Sequence, residues 1–474
     1  MENGILYIKI MKFQAIERKE GECIKQRKRY SGWFVLVLVL AASVLLSGCS
    51  VIGLDAQALM HPPKPTGEKA GMYALLKSKA GKNFTLKYPT AGENRSAIIQ
   101  HNLCGDSHKE TVALYQRKGD DTAVSILFTA LQNGKWKDIG SFTHPAAQVD
   151  RICFGDLNGD GQDETIVGWG NSAGSASLIS VFYYKNGKMN ELKLDQTYNE
   201  LAVMDFDGDG KKELLTASIP ADSEQQFVAS LFRLKGDALQ LMGSIRMDTG
   251  LSKFADLLSG NVSKGQLGVL LDCVQTNGRE LTELIYWNRS KKMLCAPLYN
   301  AQSPQQNVTL RDMSIASGDV NNDGNLEFPI VTRLPGYTGA SSDDVGNEVQ
   351  WTRFDAASGN YTLVSSMLIN TRDGYRLLLP DKWKDTITTK QNVSARRLTI
   401  YVFNSAKGTM ESPLMNVQIF TKKEWDSSKN KNGYKQVAAD ENSITAVNFP
   451  SPNHKLAVPF ATIQRCFQPI AKDS

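Results

Sequence analysis

Short apolar stretches, each long enough for one β-strand, recur between residues 96 and 370 and alternate with polar turns. Residues 178–184 and 189–194, for example, flank Asn186-Gly187, a dipeptide that favours tight hairpins because both residues accept positive φ. Similar turn signals occur at Asn133-Gly134, Gly236-Asp237, Asn288-Arg289-Ser290 and Ser358-Gly359. The pattern predicts a series of antiparallel strand pairs.

An acidic segment of nine residues is the clearest repeat. It occupies residues 156–164, 205–213 and 319–327, each time with Asp at the first and fifth positions, Gly at the sixth and Glu at the ninth. Degenerate copies begin at Asn102 and Asn261. The five starting positions lie 49 to 58 residues apart, and an apolar stretch follows each copy. A repeat of this period indicates a repeat architecture.

Each unit reads as a strand, an acidic loop, a strand, a gap, a strand, a hairpin and a strand. Four short antiparallel strands recurring about every 50 residues are typical of a propeller blade. The sequence therefore predicts a mainly β protein, with a β-propeller of about five four-stranded blades over residues 83–370. A further blade in degenerate stretches stays open at this point. Residues 371–474 lack the repeat and predict a small α+β domain, with helices near residues 422–428 and 459–467.

The acidic segments resemble the FG-GAP/VCBS repeats of β-propellers, the family that includes the head domain of integrin α chains. Phe154-Gly155 directly before the first copy belongs to this resemblance. Residues 87–89 and 95–98 also resemble the leading segment of bacterial VCBS-repeat lipoproteins, a family that supplies no activity to transfer.

Oxygen-bearing side chains at alternate positions of these loops predict bound calcium. Positions 1, 3, 5 and 9 supply side-chain oxygens and position 7 a main-chain carbonyl, a donor set that suits a hard cation. The predicted ligands are Asp156, Asn158, Asp160, Gln162 and Glu164; Asp205, Asp207, Asp209, Lys211 and Glu213; and Asp319, Asn321, Asp323, Asn325 and Glu327. An EF-hand would need an acid at position 12, where Val167, Thr216 and Ile330 stand instead.

The expectation is therefore up to three structural calcium ions that stabilise the blades, and no ion at the two degenerate copies. The alternative is a set of Asx-rich turns without metal.

The connections between the second and third strands lie on the face opposite the acidic loops. Trp169, Tyr337 and Trp351 lie in or beside these longer connections and are the candidate ligand-face residues, since exposed aromatic residues are common binding anchors. The alternative is that these rings pack between the blades.

The N-terminus predicts export and lipidation. A basic cluster at residues 25–29 precedes an uncharged apolar run from Trp33 to Leu46, which ends in Leu46-Ser47-Gly48-Cys49. That ending resembles the lipobox of bacterial lipoproteins, which implies a lipid on Cys49, a signal peptide over 1–48 and a lipidated tether over 49–82. The chain is then expected on the extracytoplasmic face of the bacterial cell membrane. An uncleaved membrane anchor is the alternative, although a run of about 14 residues is shorter than the roughly 20 that span a bilayer.

The net charge and the search for catalytic motifs argue against several classes of function. The 474 residues carry a formal charge of +5, of which residues 1–48 hold +4, so the body lacks the basic footprint of a nucleic-acid binder. Residues 170–174 match the GxSxG pattern, but a strand is predicted where that motif needs a helix. His101 and His108 lie near Asp106 and Glu110 without metal-ligand spacing.

These observations predict a non-catalytic module that binds an extracellular protein or a glycan. The alternative is a cell-envelope polysaccharide hydrolase or lyase that uses acids of the central channel. Five cysteines follow Cys49, an odd number that favours free thiols, with Cys104–Cys153 as the pair that could bond.

Overall fold

The computed structural model describes residues 68–81, 83–170, 177–219, 227–248, 250–299, 307–339, 344–427 and 433–470. The predicted signal peptide and Cys49 lie outside these residues. The chain divides into two compact units, one ending at Lys79 and the other containing the chain from Ala80 onward. Helix α1 (Glu68–Ala80), up to Lys79, is the described part of the first unit. In the part of the chain that the structure describes, helices are too short or too polar to cross a bilayer.

The second unit is built from antiparallel sheets. Blade 1 contains β1 (Phe84–Leu86), β2 (Ile98–His101), β3 (Glu110–Arg117), β4 (Val124–Gln132) and β5 (Lys135–His144). Blade 2 contains β6 (Gln148–Gly155), β7 (Glu164–Gly170), β8 (Ser177–Lys185) and β9 (Lys188–Tyr198). Blade 3 contains β10 (Glu200–Met204), β11 (Glu213–Ser218), β12 (Val228–Lys235) and β13 (Ala238–Arg246). Blade 4 contains β14 (Leu251–Ser263), β15 (Gln266–Gln275), β16 (Glu280–Asn288) and β17 (Met293–Cys295).

Blade 5 is the largest departure from this plan. Its sheet has the order β18 (Phe328–Arg333), β19 (Asn347–Asp355), β20 (Asn360–Asn370), β21 (Tyr375–Leu378) and then β27 (Phe467–Pro469), so the end of the chain returns to it. The segment before its acidic loop, where the other blades have a first strand, forms one isolated bridge between Gly318 and Glu327. A buried network holds this segment to blade 4, because Ser317 N–H donates to Asp272 at 2.7 Å and Arg311 donates to Asp272 and to Ile315 O.

Burial follows from the packing of one blade on the next. The second strand β7 is buried along its whole length, since neighbouring sheets cover both of its faces. Outer strands such as β5 alternate between exposed and half-buried positions for most of their length. Buried clusters join consecutive blades, for example Phe128 of blade 1 with Val149 and Phe182 of blade 2. The mainly β fold of repeated four-stranded blades confirms the predicted propeller.

A further five-stranded sheet, next to blade 5, completes the second unit. This sheet has the order β22 (Ile387–Asn392), β23 (Arg397–Asn404), β24 (Thr409–Thr421), β26 (Ser443–Asn448) and β25 (Lys435–Ala439). Helices α2 (Lys422–Ser427) and α3 (Phe460–Cys466) lie close to the predicted positions. Trp383 is buried in a core shared with blade 5 and donates its ring N–H to Leu456 O at 2.8 Å. Residues 371–474 thus contain a further sheet and two short helices, but β21 and β27 of this range belong to blade 5, and the sheet shares a core with that blade.

The described cysteines are free thiols. Cys104, in the loop after β2, and Cys153, within β6, are not bonded to each other, and burial raises their pKa to about 12 and about 11.

Candidate functional site

Each acidic loop is folded around the side chain of its first residue. The carboxylate of Asp156 accepts the N–H groups of Gly159 and Gly161 at 2.5 and 2.9 Å. Asp205 makes the same two contacts with Gly208 and Gly210, at 2.6 and 3.1 Å. Both glycines in each of these two loops have positive φ, as do Asn322 and Gly324 in the third loop, and this lets the backbone curl around the carboxylate. These hydrogen bonds are local, because donor and acceptor lie within five residues of each other.

The closing glutamate ties each loop to the following strand. Its Oε2 accepts the N–H of the second loop residue: Leu157 to Glu164 at 2.7 Å, Phe206 to Glu213 at 2.9 Å and Val320 to Glu327 at 3.0 Å. The degenerate copy keeps the bond, from Leu103 to Glu110 at 2.8 Å. Burial, together with neighbouring aspartates, raises the pKa of Glu164 to about 8 and that of Glu213 to about 7.

The second loop brings three carboxylates together. Oxygens of Asp205, Asp207 and Asp209 all lie within 4.8 Å of one another. In the first and third loops the third residue is an asparagine instead of an aspartate. Asn158 Nδ2 donates to Asp160 at 3.0 Å, and Asn321 Nδ2 donates to Asp323 at 2.9 Å. Among the described residues, the second loop is therefore the one in which three predicted carboxylate ligands converge.

Two arginines that the sequence analysis missed lie against these loops. Arg353 on β19 donates to Asp323 at 2.6 Å and also contacts Glu327. Arg233 on β12 forms an ion pair with Asp207. Strand register puts both arginines opposite the closing glutamate, a position that Tyr183 occupies in blade 2. An arginine on a nearby strand therefore neutralises part of the negative charge of the third loop, and to a smaller extent that of the second. The first loop has no such arginine opposite its glutamate.

Neighbouring loops are also bonded to each other. Lys212 N–H in the second loop donates to Asp156 O in the first at 2.8 Å, and Leu326 N–H donates to Asn261 O at 2.7 Å. The aliphatic part of Lys211 lies so close to Gly159 that a Cβ at this glycine would collide with it. The acidic loops therefore connect one blade to the next.

The degenerate copies fold differently from the complete loops. Asn261 lies inside β14, which turns directly into β15 between Ser263 and Gln266. In the copy at Asn102, His108 is 3.6 Å from Asp106 in an exposed position, while His101 turns away to the next loop. The weak cluster of His101, His108, Asp106 and Glu110 is not assembled.

A cavity of about 450 Å³ lies where the first strands of blades 1 to 4 meet, at the propeller axis. Arg151 forms ion pairs with Asp150 at 2.8 Å and with Glu200 at 2.7 Å, and Tyr198 OH donates to Asp150 at 2.6 Å. Burial lowers the pKa of Arg151, but these carboxylates raise it overall. The two acids share one guanidinium and form no separate acid and base pair.

His101 lines the same cavity. Its Nε2 is 2.7 Å from Asp163, and its ring stacks on Phe154 with centroids 4.0 Å apart. A histidine oriented by a carboxylate is an arrangement able to transfer protons.

The structure corrects the predicted ligand face. Trp169 and Trp351 are each only 4% exposed, and their ring N–H groups point to Ser180 Oγ and to Met367 Sδ. His144 covers Trp169 with ring centroids 4.2 Å apart. Tyr337 is half-buried under Arg333, whose guanidinium lies 4.3 Å from the ring centroid. The two tryptophans pack inside the blades because strand alternation turns them toward the neighbouring sheets, which is the alternative stated above.

Most of the GxSxG segment lies outside the described residues. The element that follows it is the strand β8, beginning at Ser177, and not a helix. The motif therefore lacks the context of a nucleophile elbow.

Comparison with known proteins identifies no matching family model and no matching curated protein. Among solved structures, a periplasmic gluconolactonase of Pseudomonas aeruginosa is 12% identical, with a TM-score of 0.30, and the match covers 69% of this chain and 86% of that chain. Sqt1 of Saccharomyces cerevisiae is 10% identical, with a TM-score of 0.32 and coverage of 77% and 98%. The Dos1 propeller is 10% identical, with a TM-score of 0.30 and coverage of 66% and 65%. The propeller assignment rests on the repeated four-stranded sheets themselves.

Proposed function

We propose that this chain is a lipid-anchored extracytoplasmic lipoprotein of the FG-GAP/VCBS type, whose calcium-stabilised propeller is a non-catalytic binding module for a protein or a glycan. The observation that carries the calcium part is the convergence of Asp205, Asp207 and Asp209 in a loop that also bonds to the neighbouring blade. Arg233 pairs with Asp207, but three carboxylates this close still repel one another, and a bound cation would relieve that repulsion.

The donor chemistry fits calcium better in some loops than in others. All fifteen predicted ligand positions offer oxygen donors, either from side chains or from the main-chain carbonyl at position 7, and oxygen donors are what calcium takes. The first loop has no arginine opposite the buried Glu164, which leaves its acids open to a bound cation. In the third loop Arg353 already contacts Asp323 and Glu327 and competes with calcium there.

A binding role is supported by the state of two acids next to the axial cavity. Asp150 and Glu200 are both paired with Arg151, which lines the cavity, and this pairing disfavours them as a general acid or base. Export and anchoring are supported by the basic cluster, the apolar run and Cys49 in the sequence.

A polysaccharide hydrolase or lyase is the second candidate, and one contact favours it. His101, oriented by Asp163 at 2.7 Å, faces the axial cavity. His101→Ala should then abolish any polysaccharide cleavage by the full chain, whereas a binding module shows no cleavage with either protein.

Calcium titration of the full chain tests the proposal. Calcium should raise the melting temperature by mass action, by the equivalent of about 2.7 kcal/mol at a hundred times the Kd. The triple variant Asp160→Ala, Asp209→Ala, Asp323→Ala should lose this response. A glycan array and a pull-down, each with calcium and with chelator, should then identify a partner that only the calcium-loaded protein retains. An unchanged calcium response in the triple variant would refute the assigned ligands.

A further inference from the structure

The fourth strand of blade 4 is much shorter than its equivalents. Strand β17 has 3 residues, whereas β5, β9, β13 and β20 have 10, 11, 9 and 11. The outer edge of blade 4 is therefore left partly uncovered beside the β19–β20 hairpin of blade 5. A groove of about 650 Å³ lies between the two hairpins, and we call it the outer groove; its walls include Tyr286, Lys291, Met293, Phe354, Ser358 and Tyr361. This volume is in the range of small-ligand sites.

Aromatic rings form the floor of the outer groove. The ring centroids of Tyr286 and Phe354 lie 5.7 Å apart, and those of Phe354 and Tyr361 lie 6.0 Å apart. Tyr361 also packs edge-on against Phe328, which holds its ring in place, and yet it remains 42% exposed. A fixed and exposed ring gives a flat apolar surface at little entropic cost to binding.

The charge in the outer groove is positive. Lys291 is the charged side chain among the lining residues, whereas the guanidinium of Arg289 on the same hairpin lies against Gly208 of the second acidic loop. Asp355, at the base of the facing hairpin, accepts hydrogen bonds from Ser358 Oγ at 2.6 Å and from Ala357 N–H at 3.0 Å. The groove therefore combines the side chain of Lys291 with an aromatic floor, and the hydroxyl of Ser290 and the amide of Asn288 also belong to its lining.

We propose that the outer groove binds an anionic sugar of a glycan, with a C–H face of the sugar ring on Tyr361 and its carboxylate or phosphate at Lys291. This assignment rests on the proposed binding function and moves its ligand site to the rim between blades 4 and 5, away from the buried Trp169 and Trp351. A sugar fits better than an apolar peptide because the groove combines one exposed ring with several polar groups and one positive charge.

Binding of labelled oligosaccharides to the full chain in calcium, followed by fluorescence polarisation, tests the proposal. The probes are hexagalacturonic acid for the carboxylate, a mannose 6-phosphate conjugate for the phosphate, and maltohexaose as the neutral control. At least one acidic probe should bind ten or more times tighter than maltohexaose, and the tighter of the two identifies the anionic group.

Matched variants locate the site. Lys291→Glu should weaken binding of the acidic probe at least tenfold. Lys292→Glu makes an equal charge change at an exposed residue outside the groove lining. It should change the affinity less than about threefold, because salt screens more distant charges. Tyr361→Phe should retain binding and Tyr361→Ala should lose most of it. Calcium-dependent melting of every variant checks that the fold is intact.

Three results would overturn the proposal: equal binding of acidic and neutral probes, equal effects of Lys291→Glu and Lys292→Glu, or no binding of any probe by a protein that melts with the normal calcium response. The last result leaves the calcium-stabilised binding module standing and removes only the glycan site. Loss of the calcium response together with the absence of any captured partner would refute the proposed function itself.

Discussion

Glu283 shows how one buried residue sets the pH dependence of stability. Its side chain is fully buried between blades 3 and 4, where Oε1 accepts Asp248 N–H at 3.0 Å. Burial and the nearby Asp248 carboxylate raise its pKa from 4.5 to about 8. The folded state therefore keeps a proton that the unfolded state loses above about pH 4.5, so this residue makes stability fall as pH rises toward 8.

Replacing Glu283 by Gln should remove that loss. The amide keeps the bond from Asp248 N–H but cannot ionise, so the variant should match the native protein near pH 4.5 and melt at a higher temperature at pH 8. The difference should grow by at most about 1.4 kcal/mol for each pH unit between these limits. Calorimetry across this pH range measures it, with the exposed Glu441→Gln as control. A pH-independent difference would show that Glu283 titrates normally.

Arg353 gives a second prediction at the scale of one residue. Its guanidinium balances the charge of Asp323 and of the buried Glu327. Arg353→Gln should lower the melting temperature in chelator, since a buried carboxylate without its partner costs about 1–3 kcal/mol. Calcium should restore this loss, so the calcium-induced rise in melting temperature should exceed that of the native protein.

The control for Arg353→Gln is Arg372→Gln, at an exposed position in the turn between β20 and β21. Melting curves of both variants with calcium and with chelator provide the measurement. Equal calcium-induced rises in all three proteins would mean that Arg353 does not compete with the ion.

Residue-scale features differ in how far the sequence reveals them. The hydrogen-bonded loop around Asp156 is local, because its partners lie within five residues, and the spacing of acids and glycines predicts it. Arg353 stands 26 residues from Glu327, and only the register of β18 against β19 brings the two together. The burial of Trp169 under His144 likewise depends on contact with a neighbouring blade, which periodicity in one segment cannot reveal.

Contacts between neighbouring loops matter at the scale of elements. Gly159 and Gly161 have similar φ values, 80° and 85°, but only Gly159 faces the side chain of Lys211. Gly161→Ala should therefore cost the roughly 1–2 kcal/mol of a left-handed alanine. Gly159→Ala should cost more, because Lys211 of the next loop must also move.

The comparison isolates the contact between blades, since both variants lie in one loop and carry the same strain. Melting temperatures in saturating calcium measure the two losses. If the two variants lose the same stability, the contact between the loops of blades 2 and 3 contributes nothing.

Elements were predictable where the repeat is regular. Turn dipeptides and acidic segments mark strands in blades 1 to 4, since each strand pair is set by a short connection. Blade 5 departs from the repeat because its first segment is held by Arg311 and Asp272, 39 residues apart, and because β27 returns from the end of the chain. No local pattern encodes such distant pairings.

At the scale of the whole molecule, the propeller is one part of a chain whose N-terminus predicts attachment to a membrane. The outer groove and the acidic loops would then work at the cell surface or in the envelope, where calcium reaches the roughly 0.1–1 mM at which extracellular modules bind it. This setting depends on Cys49, since a bound acyl chain gains about 0.8 kcal/mol for each buried CH₂ and two chains give stable anchoring.

Cys49→Ala should therefore release the protein from the membrane without affecting its fold. Cells fed a fatty-acid probe should label the native chain and Cys295→Ala, a variant that removes a thiol of the propeller, but not Cys49→Ala. The unlabelled protein should leave the membrane fraction and keep the calcium-dependent melting of the native chain, because the anchor contributes nothing to the blades. Label that persists on Cys49→Ala would place the lipid elsewhere, and an unlabelled variant that stays in the membrane fraction would favour an uncleaved apolar segment as the anchor.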